Sequence, residues 1–135
     1  MPFFSLSRDI GIDLGTSRTR IYVPYRGVVF DEHSKLAYES NAMKKLICMG
    51  NTAHEMVGRA NEDVVVCNTV HRGAIQDEKI AEQYLHTALK KIQSILLLFR
   101  NDILIGTPTE VTSMEQRAIV QTCNCLLYTS DAADE

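Results

Sequence analysis

The first thirty residues constrain the fold more tightly than any other part of the chain. In residues 9–14 the sequence DIGIDL alternates apolar residues with small or charged ones, which is typical of a strand with one buried face. Glycine and hydroxylic residues interrupt this alternation, and β-type residues return at 20–23 and 28–30. With turns predicted at 15–18 and 25–27, the segment predicts a three-stranded antiparallel meander.

A helix and an α/β unit are predicted further along the chain. Residues 78–93 carry apolar side chains three and four positions apart, begin with acidic residues and end near lysines, which predicts an amphipathic helix. Residues 102–106 (DILIG) predict a short buried strand, and Thr112 with Glu115 forms a capping box that predicts a helix over 113–123. We expect a mixed sheet of the meander and this later strand, flanked by the two helices.

The stretch from residue 32 to residue 66 has no single period. Short apolar pieces alternate with polar segments, and we interpret the stretch as a small inserted subdomain, with 1–31 and 67–123 forming the main domain. Residues 51–59 predict one or two helical turns, closed by Gly58 in a left-handed conformation.

Composition argues against several classes of protein. Of the 135 residues 45% are hydrophobic and 23% are charged, which is the balance of a soluble globular protein. A formal net charge of −3 provides no basic field for a nucleic-acid backbone, so we expect no nucleic-acid partner. The chain shows no secretory signal, and its longest apolar run, residues 95–99, is far below the ~20 residues needed to span a bilayer. We therefore expect a cytoplasmic protein.

Cysteines and histidines give no metal-site pattern. Cys48, Cys67, Cys123 and Cys125 lack the paired C-x-x-C spacing of a zinc site, and we interpret them as free thiols in a reducing compartment. His33, His54, His71 and His86 are scattered without a partner at ligand spacing, and we interpret each as a surface or helix-face residue.

The residues between the first two predicted strands carry the chemistry. Asp13 lies at the carboxyl end of a strand, where its carboxylate is placed to bind Mg²⁺ directly or through water. Gly15 allows close approach of the backbone to an oxyanion and a positive φ, while the N–H groups around Thr16 and Ser17 form a concave donor surface. From the residues alone, an ordinary hairpin whose Asp and Thr cap the turn remains an alternative.

This turn resembles a known phosphate motif. The sequence DIGIDLGTSRT is similar to the first phosphate motif of the actin, sugar kinase and heat-shock chaperone superfamily, and the flanking sequence resembles the MreB family of bacterial actin-like, rod shape-determining proteins in particular. Four further segments resemble that family in the same order: IYVPYRGVVFDEHS, GNTAHEMVGR, HRGAIQD and LIGTPTEVTSMEQRAIV. The resemblance runs from about Asp9 to about Cys123, which is more specific than one glycine-containing turn.

The resemblance implies an α/β fold of the actin-like, ribonuclease-H-like kind. It also implies a protein that binds ATP and Mg²⁺, forms filaments with itself, lies in the cytoplasm against the inner membrane and works with cell-wall synthesis proteins to set rod shape. By the same resemblance Asp13 serves the metal, and the β- and γ-phosphates are lined by Gly15, Thr16, Ser17, Arg18 and Thr19. The sequence departs from the family pattern in three places: Arg18 replaces the usual Asn, His33 replaces Pro, and residues 68–71 (NTVH) replace a more basic run.

Other family motifs are not found in this sequence. The second phosphate motif, the adenosine-binding Gly-Gly segment and the Glu-Pro pair that positions the hydrolytic water fall beyond the matched segments, so we do not expect this chain to hydrolyse ATP alone. The last ten residues, LLYTSDAADE, do not resemble the family. We expect 124–135 to be a non-native or disordered tail, the alternative being a short helix with a frayed acidic end.

Two apolar segments are candidates for membrane contact. Residues 95–99 (ILLLF) lie between a predicted helix and a strand, where a loop is normally polar. The resemblance implies shallow membrane insertion of this loop and of an amino-terminal apolar segment, with these candidates: Phe3, Phe4, Leu6, Leu98 and Phe99. Alternatively, Ile95 and Leu96 complete the buried face of the preceding helix.

Two other hypotheses for the whole chain remain open at this point. One is a sugar- or acetate-kinase-like phosphotransferase of the same superfamily, although residues 32–66 show no cluster of polar residues suited to a sugar. The other is that the chain is only part of a functional unit and is marginally stable by itself.

Overall fold

The computed structural model describes residues 10–41, 43–71, 74–75, 77–96, 103–106, 112–114, 116–117 and 120–121. Nine strands and three helices have bounds within these residues, and residues 113–114, 116–117 and 120–121 are also helical. The strands are β1 (Ile10–Leu14), β2 (Arg18–Val23), β3 (Gly27–His33), β4 (Lys35–Glu39), β5 (Leu46–Met49), β6 (Val64–Asn68), β7 (Val70–His71), β8 (Ala74–Ile75) and β9 (Ile103–Gly106), and the helices are α1 (Gly50–Glu55), α2 (Glu78–Lys91) and α3 (Gln93–Leu96).

The predicted meander and the later strand form one mixed sheet in the order β3-β2-β1-β9. β2 pairs antiparallel with β1 and β3, whereas β9 pairs parallel with β1. Because β1 and β9 are parallel, their carboxyl ends lie at the same edge of the sheet, which is where ligands bind in open α/β sheets. The predicted mixed α/β architecture is confirmed.

One face of this sheet packs against α2. The alternation along β1 buries Ile10, Ile12 and Leu14, and the same periodicity along β2 buries Ile21 and Val23. These side chains belong to one core with the buried residues of α2: Ala81, Tyr84, Leu85, Ala88 and Leu89. Within the described residues, the opposite face of the sheet carries exposed apolar side chains at Tyr22, Val28 and Leu104.

The start of α2 is fixed by a side-chain cap. The Asp77 carboxylate accepts hydrogen bonds from the N–H groups of Lys79 (2.9 Å) and Ile80 (3.4 Å), which satisfies two donors of the first turn. The predicted helix is confirmed, although it ends at Lys91 and is followed by the short α3.

Residues 35–68 contribute a second sheet, in the order β5-β4-β6. Helix α1 lies in this stretch, and Gly58, just beyond its end, has the predicted positive φ of 75°. Leu36 and Met49 join the same core cluster as the first sheet. The division into a main domain and an inserted subdomain at residues 32–66 therefore stays a prediction.

The chain passes between the two sheets at Ser34 and returns at Thr69, both of which are buried. The Ser34 carbonyl accepts hydrogen bonds from the N–H of Thr69 (2.9 Å) and from its hydroxyl (3.1 Å). These bonds satisfy polar groups that would be costly to leave unpaired inside the protein.

Several expectations fall on residues outside the described ranges. These are the membrane candidates Phe3, Phe4, Leu6, Leu98 and Phe99, the residue Glu115 of the capping box, and the tail over 124–135. Ser113 and Met114 are helical, and the N–H of Gln116 donates to the Thr112 carbonyl (3.0 Å). No helix within the described ranges has the length and apolar character needed to cross a bilayer.

Candidate functional site

A tight turn joins the carboxyl end of β1 to β2. The N–H of Gly15 donates to the Arg18 carbonyl (3.1 Å) and closes the turn around Thr16 and Ser17, which are exposed. Within the described residues, the N–H groups of Thr16 and Ser17 have no hydrogen-bond partner in the protein. Two neighbouring backbone donors at the end of a buried strand are therefore available to a ligand.

Ser34 holds this turn from the buried side. Its hydroxyl donates to the Gly15 carbonyl (2.7 Å), and its N–H donates to the Ser17 carbonyl (2.9 Å). In a trans peptide the C=O and the following N–H point in opposite directions, and none of the described peptide bonds is cis. Because the Gly15 carbonyl points toward buried Ser34, the N–H of Thr16 points away from the core.

Gly15 is required by a close approach within the turn. A Cβ added at this position would lie 2.6 Å from the Arg18 carbonyl oxygen, closer than real Cβ atoms come to other atoms. The positive φ that a glycine allows is not used here, since Gly15 is not among the residues with positive φ in the described chain. The absence of a side chain at Gly15 allows the turn to close this tightly.

Asp13 lies on the exposed face of the sheet, because its neighbours Ile12 and Leu14 occupy the buried face. Its parallel partner on β9 is Gly106, which has no side chain to cover the carboxylate. Within the described residues no group of three or more His, Cys, Asp or Glu side chains is arranged to hold a metal. A single accessible carboxylate suits Mg²⁺ that takes most of its other ligands from phosphates and water.

Arg18 does not point freely into the open side of the turn. Its Nε donates to Asp31 Oδ1 (2.7 Å), its Nη2 donates to the Asp31 carbonyl (3.0 Å), and its Nη1 lies 3.2 Å from His33 Nε2. The hydrogen bond from Arg18 lowers the pKa of Asp31 below its ordinary value. Arg20 approaches the same carboxylate oxygen at 3.5 Å, so two guanidinium groups share one acid.

Thr19 lies beneath the turn. Its side chain is fully buried, and its hydroxyl is hydrogen-bonded to the Ser34 hydroxyl (2.8 Å). This position gives Thr19 no surface for a phosphate, so the expected direct contact is not supported. Thr19 instead supports the serine that holds the turn.

Two histidines that we interpreted as unrelated surface residues lie against each other. The rings of His33 and His54 stack with their centroids 3.7 Å apart and their planes 10° from parallel. Neither this pair nor the role of Asp31 was expected. The pairing of Arg20 with Asp31 follows from the register of β2 and β3, so a register assignment for the predicted meander would have placed this acid beside the arginines.

Comparison with known protein families identifies relatives across most of the chain. The family model described as MreB/Mbl protein matches residues 7–126. The cell shape-determining protein Mbl of Bacillus subtilis is 37% identical over 113 residues, which cover 84% of this chain and 34% of that protein. The cell shape-determining protein MreB of Escherichia coli is 31% identical over 117 residues, with the same coverage of both chains. The chain thus spans about a third of the length of these curated relatives.

Solved structures show the same likeness. The crystal structure of MreB5 of Spiroplasma citri bound to ADP has a TM-score of 0.73 and 29% identity, covering 87% of this chain and 34% of that one. The AMPPNP-bound structure of the same protein gives a TM-score of 0.72 at 29% identity, covering 87% and 35%. A non-polymerising MamK mutant bound to AMPPNP (TM-score 0.64, 19% identity, covering 88% and 38%) shares the fold. The predicted actin-like fold is confirmed.

Proposed function

Because this chain belongs to the MreB/Mbl protein family, we propose that it is the amino-terminal part of a bacterial actin-like cytoskeletal protein that binds ATP with Mg²⁺ and forms filaments that guide cell-wall synthesis and rod shape. The observation that carries the proposal is the exposed turn after β1, where the N–H groups of Thr16 and Ser17 have no partner among the described residues and lie next to the accessible Asp13 carboxylate. The nucleotide-bound MreB5 structures, which have a similar fold, add support.

The turn residues take different roles in this proposal. The N–H groups and hydroxyls of Thr16 and Ser17 donate to phosphate oxygens, while Gly15 keeps the turn tight. Asp13 binds Mg²⁺ directly or through water, and the ion neutralises charge on the phosphates when it is bound. Arg18 adds positive charge beside the turn, and Thr19 acts through Ser34 rather than by touching the ligand.

We expect this chain to bind nucleotide without hydrolysing it. The described residues provide one phosphate turn and one carboxylate, whereas phosphoryl transfer requires positioning groups around the whole reacting centre. The sugar- or acetate-kinase alternative is not favoured, because the aligned relatives are named as cell shape-determining proteins.

The remaining parts of the proposal rest on the family resemblance. They are the division into a main domain (1–31 and 67–123) and an inserted subdomain (32–66), self-association, a cytoplasmic location at the inner membrane, and contact with cell-wall synthesis proteins. For the membrane we propose insertion of Phe3, Phe4, Leu6, Leu98 and Phe99.

Nucleotide binding is tested by titrating the ¹⁵N-labelled chain with ATP, with and without Mg²⁺, and following each backbone amide by NMR. A single turn supports a Kd on the order of 1 mM, so we expect shifts at the amides of Thr16 and Ser17 in the millimolar range. Asp13→Asn should abolish the Mg²⁺ dependence, whereas Asp63→Asn, at an exposed acid ahead of β6, should not. Unchanged turn amides at roughly tenfold higher ATP would refute the assignment.

Filament formation is tested in a chimera in which residues 10–121 replace the matching segment of Bacillus subtilis Mbl. We expect the chimera to sediment with Mg²⁺–ATP and the same chimera with Asp13→Asn to stay in the supernatant. Equal sedimentation of both proteins would argue against a role for this turn in assembly.

A further inference from the structure

The His33 ring links the phosphate turn to α1. An arginine is always a donor, so the 3.2 Å contact with Arg18 Nη1 requires Nε2 of His33 to be the acceptor. The ring is then neutral, with its proton on Nδ1. On its flat side the ring stacks on His54, which belongs to α1.

The backbone of His33 is fixed independently of its ring. Its N–H donates to Asn51 Oδ1 (3.1 Å), and its carbonyl accepts a hydrogen bond from the buried Tyr84 hydroxyl (2.8 Å). Glu32, next to it, accepts from the N–H of Asn51 (3.1 Å) and from Lys91 Nζ (3.2 Å). If the ring of His33 becomes charged, movement of the Arg18 side chain is therefore easier than movement of the β3 backbone.

The charges around the ring favour its neutral form. Burial lowers the pKa of His33, and His54, Arg18 and Lys35 lower it further, while a hydrogen bond with the Ser17 backbone opposes the shift. The charged or titratable groups on the surrounding elements are Arg18 on β2, Asp31 and Glu32 on β3, Lys35 on β4, His54 on α1, and Lys91 and Tyr84 on α2. A protonated ring would face Arg18 without a lone pair to accept its hydrogen bond.

We propose that His33 is a positioning residue for the phosphate turn: the neutral ring, together with Asp31, holds Arg18 against β3, and protonation of the ring removes its hydrogen bond and repels the guanidinium toward the phosphates of a bound nucleotide. This inference rests on the proposed function, because the proposed function makes a nucleotide the ligand of the turn beside Arg18. Release of Arg18 and the new charge on His33 act in the same direction, so phosphate binding becomes tighter as the pH falls.

The experiment compares the Kd for Mg²⁺–ATP at pH 7.5 and pH 5.5, measured by NMR titration of the whole chain. We expect the wild type to gain up to about tenfold more affinity on acidification than His33→Gln, because the phosphates of bound ATP favour the protonated ring. The titration of ATP itself is common to both proteins and cancels in this comparison. His86→Gln, at an exposed site on α2, is the matched control and should behave as the wild type.

Two further variants separate positioning from a general structural role. His33→Ala removes the acceptor of Arg18 Nη1 at every pH and leaves only the bonds to Asp31, so it should bind Mg²⁺–ATP more tightly than the wild type at pH 7.5, whereas mere structural damage would weaken binding. Arg18→Gln should abolish the additional pH dependence of ATP binding that the wild type shows over His33→Gln. It should also raise the pKa of His33, measured from the chemical shifts of its ring protons in the absence of nucleotide.

The outcomes distinguish this inference from the proposed function. Absence of ATP shifts at the turn overturns both. Binding at the turn with the same pH dependence in the wild type and His33→Gln, or weaker binding by His33→Ala, overturns the positioning role alone.

Discussion

Ser34→Ala is the most direct test of how the turn is held. The substitution removes a fully buried hydroxyl that donates to the Gly15 carbonyl at 2.7 Å and pairs with the Thr19 hydroxyl at 2.8 Å. Both partners then lie in a site with little access to water. An unsatisfied buried polar group costs about 1–3 kcal/mol, but the Thr19 hydroxyl can rotate and the backbone bonds of Ser34 remain. We therefore expect a loss of about 2 kcal/mol in the free energy of unfolding, or roughly thirtyfold in the equilibrium constant.

Urea unfolding followed by circular dichroism measures this loss. With a slope of about 2 kcal/mol per molar urea, the midpoint should fall by roughly 1 M while the slope stays the same. Ser40→Ala is the matched control, because the exposed Ser40 hydroxyl donates to the Glu62 carbonyl at 3.2 Å and its removal should cost less than about 0.5 kcal/mol. Equal midpoints for the two variants would refute the role assigned to the buried hydroxyl.

Three further results are expected. Gly15→Ala should force the turn open, because its Cβ would meet the Arg18 carbonyl oxygen, lowering stability by about 1–3 kcal/mol in thermal unfolding and eliminating the ATP shifts; a wild-type melting curve would contradict this. Burial raises the pKa of Tyr84, so the folded chain loses stability as the pH rises above about 10, where the tyrosine of the unfolded chain ionises. Tyr84→Phe should reduce this loss, whereas Tyr25→Phe, at an exposed tyrosine, should not. Arg18 lowers the pKa of Asp31, so the ionised carboxylate stabilises the fold above about pH 4, and this stabilisation is lost as the pH falls below that value. Asp31→Asn should therefore reduce the loss of stability on acidification, measured by urea unfolding at a series of pH values. An unchanged loss would argue against the ion pair.

The elements governed by local periodicity could be predicted from the sequence. β1 was predictable because the buried residues Ile10, Ile12 and Leu14 alternate with residues that are not buried. α2 was predictable because its apolar side chains recur on one face of the helix. The second sheet was harder, since β4 pairs with β6 across the intervening residues, as in Leu36 with Cys67. Burial also does not alternate along either strand, since Leu36 and Ala37 are consecutive buried residues in β4 and residues 64–67 of β6 are all half-buried, so neither strand shows a period of two.

The differences between the predicted and the described turn have a common origin in the start of β2. We predicted a turn through residue 18, whereas the strand begins at Arg18. Alternation from that residue turns Thr19 toward the core with Ile21 and puts Arg18 on the face that carries Asp31. A shift of two residues in one boundary thus changed which side chains were expected to meet the ligand.

The stacked histidines could not be predicted from local pattern. His33 ends β3 and His54 lies in α1, and their contact depends on how α1 is placed after β5. Nothing in the spacing of the two residues specifies that placement.

Ser34 commits its amide, its hydroxyl and its carbonyl to two separate segments of the chain. The first two bind the turn, and the third binds Thr69, where the chain re-enters from the second sheet. Since this residue also immediately precedes β4, the turn and the start of the second sheet share one buried anchor, and we expect a shift of the turn on anion binding to be felt there first.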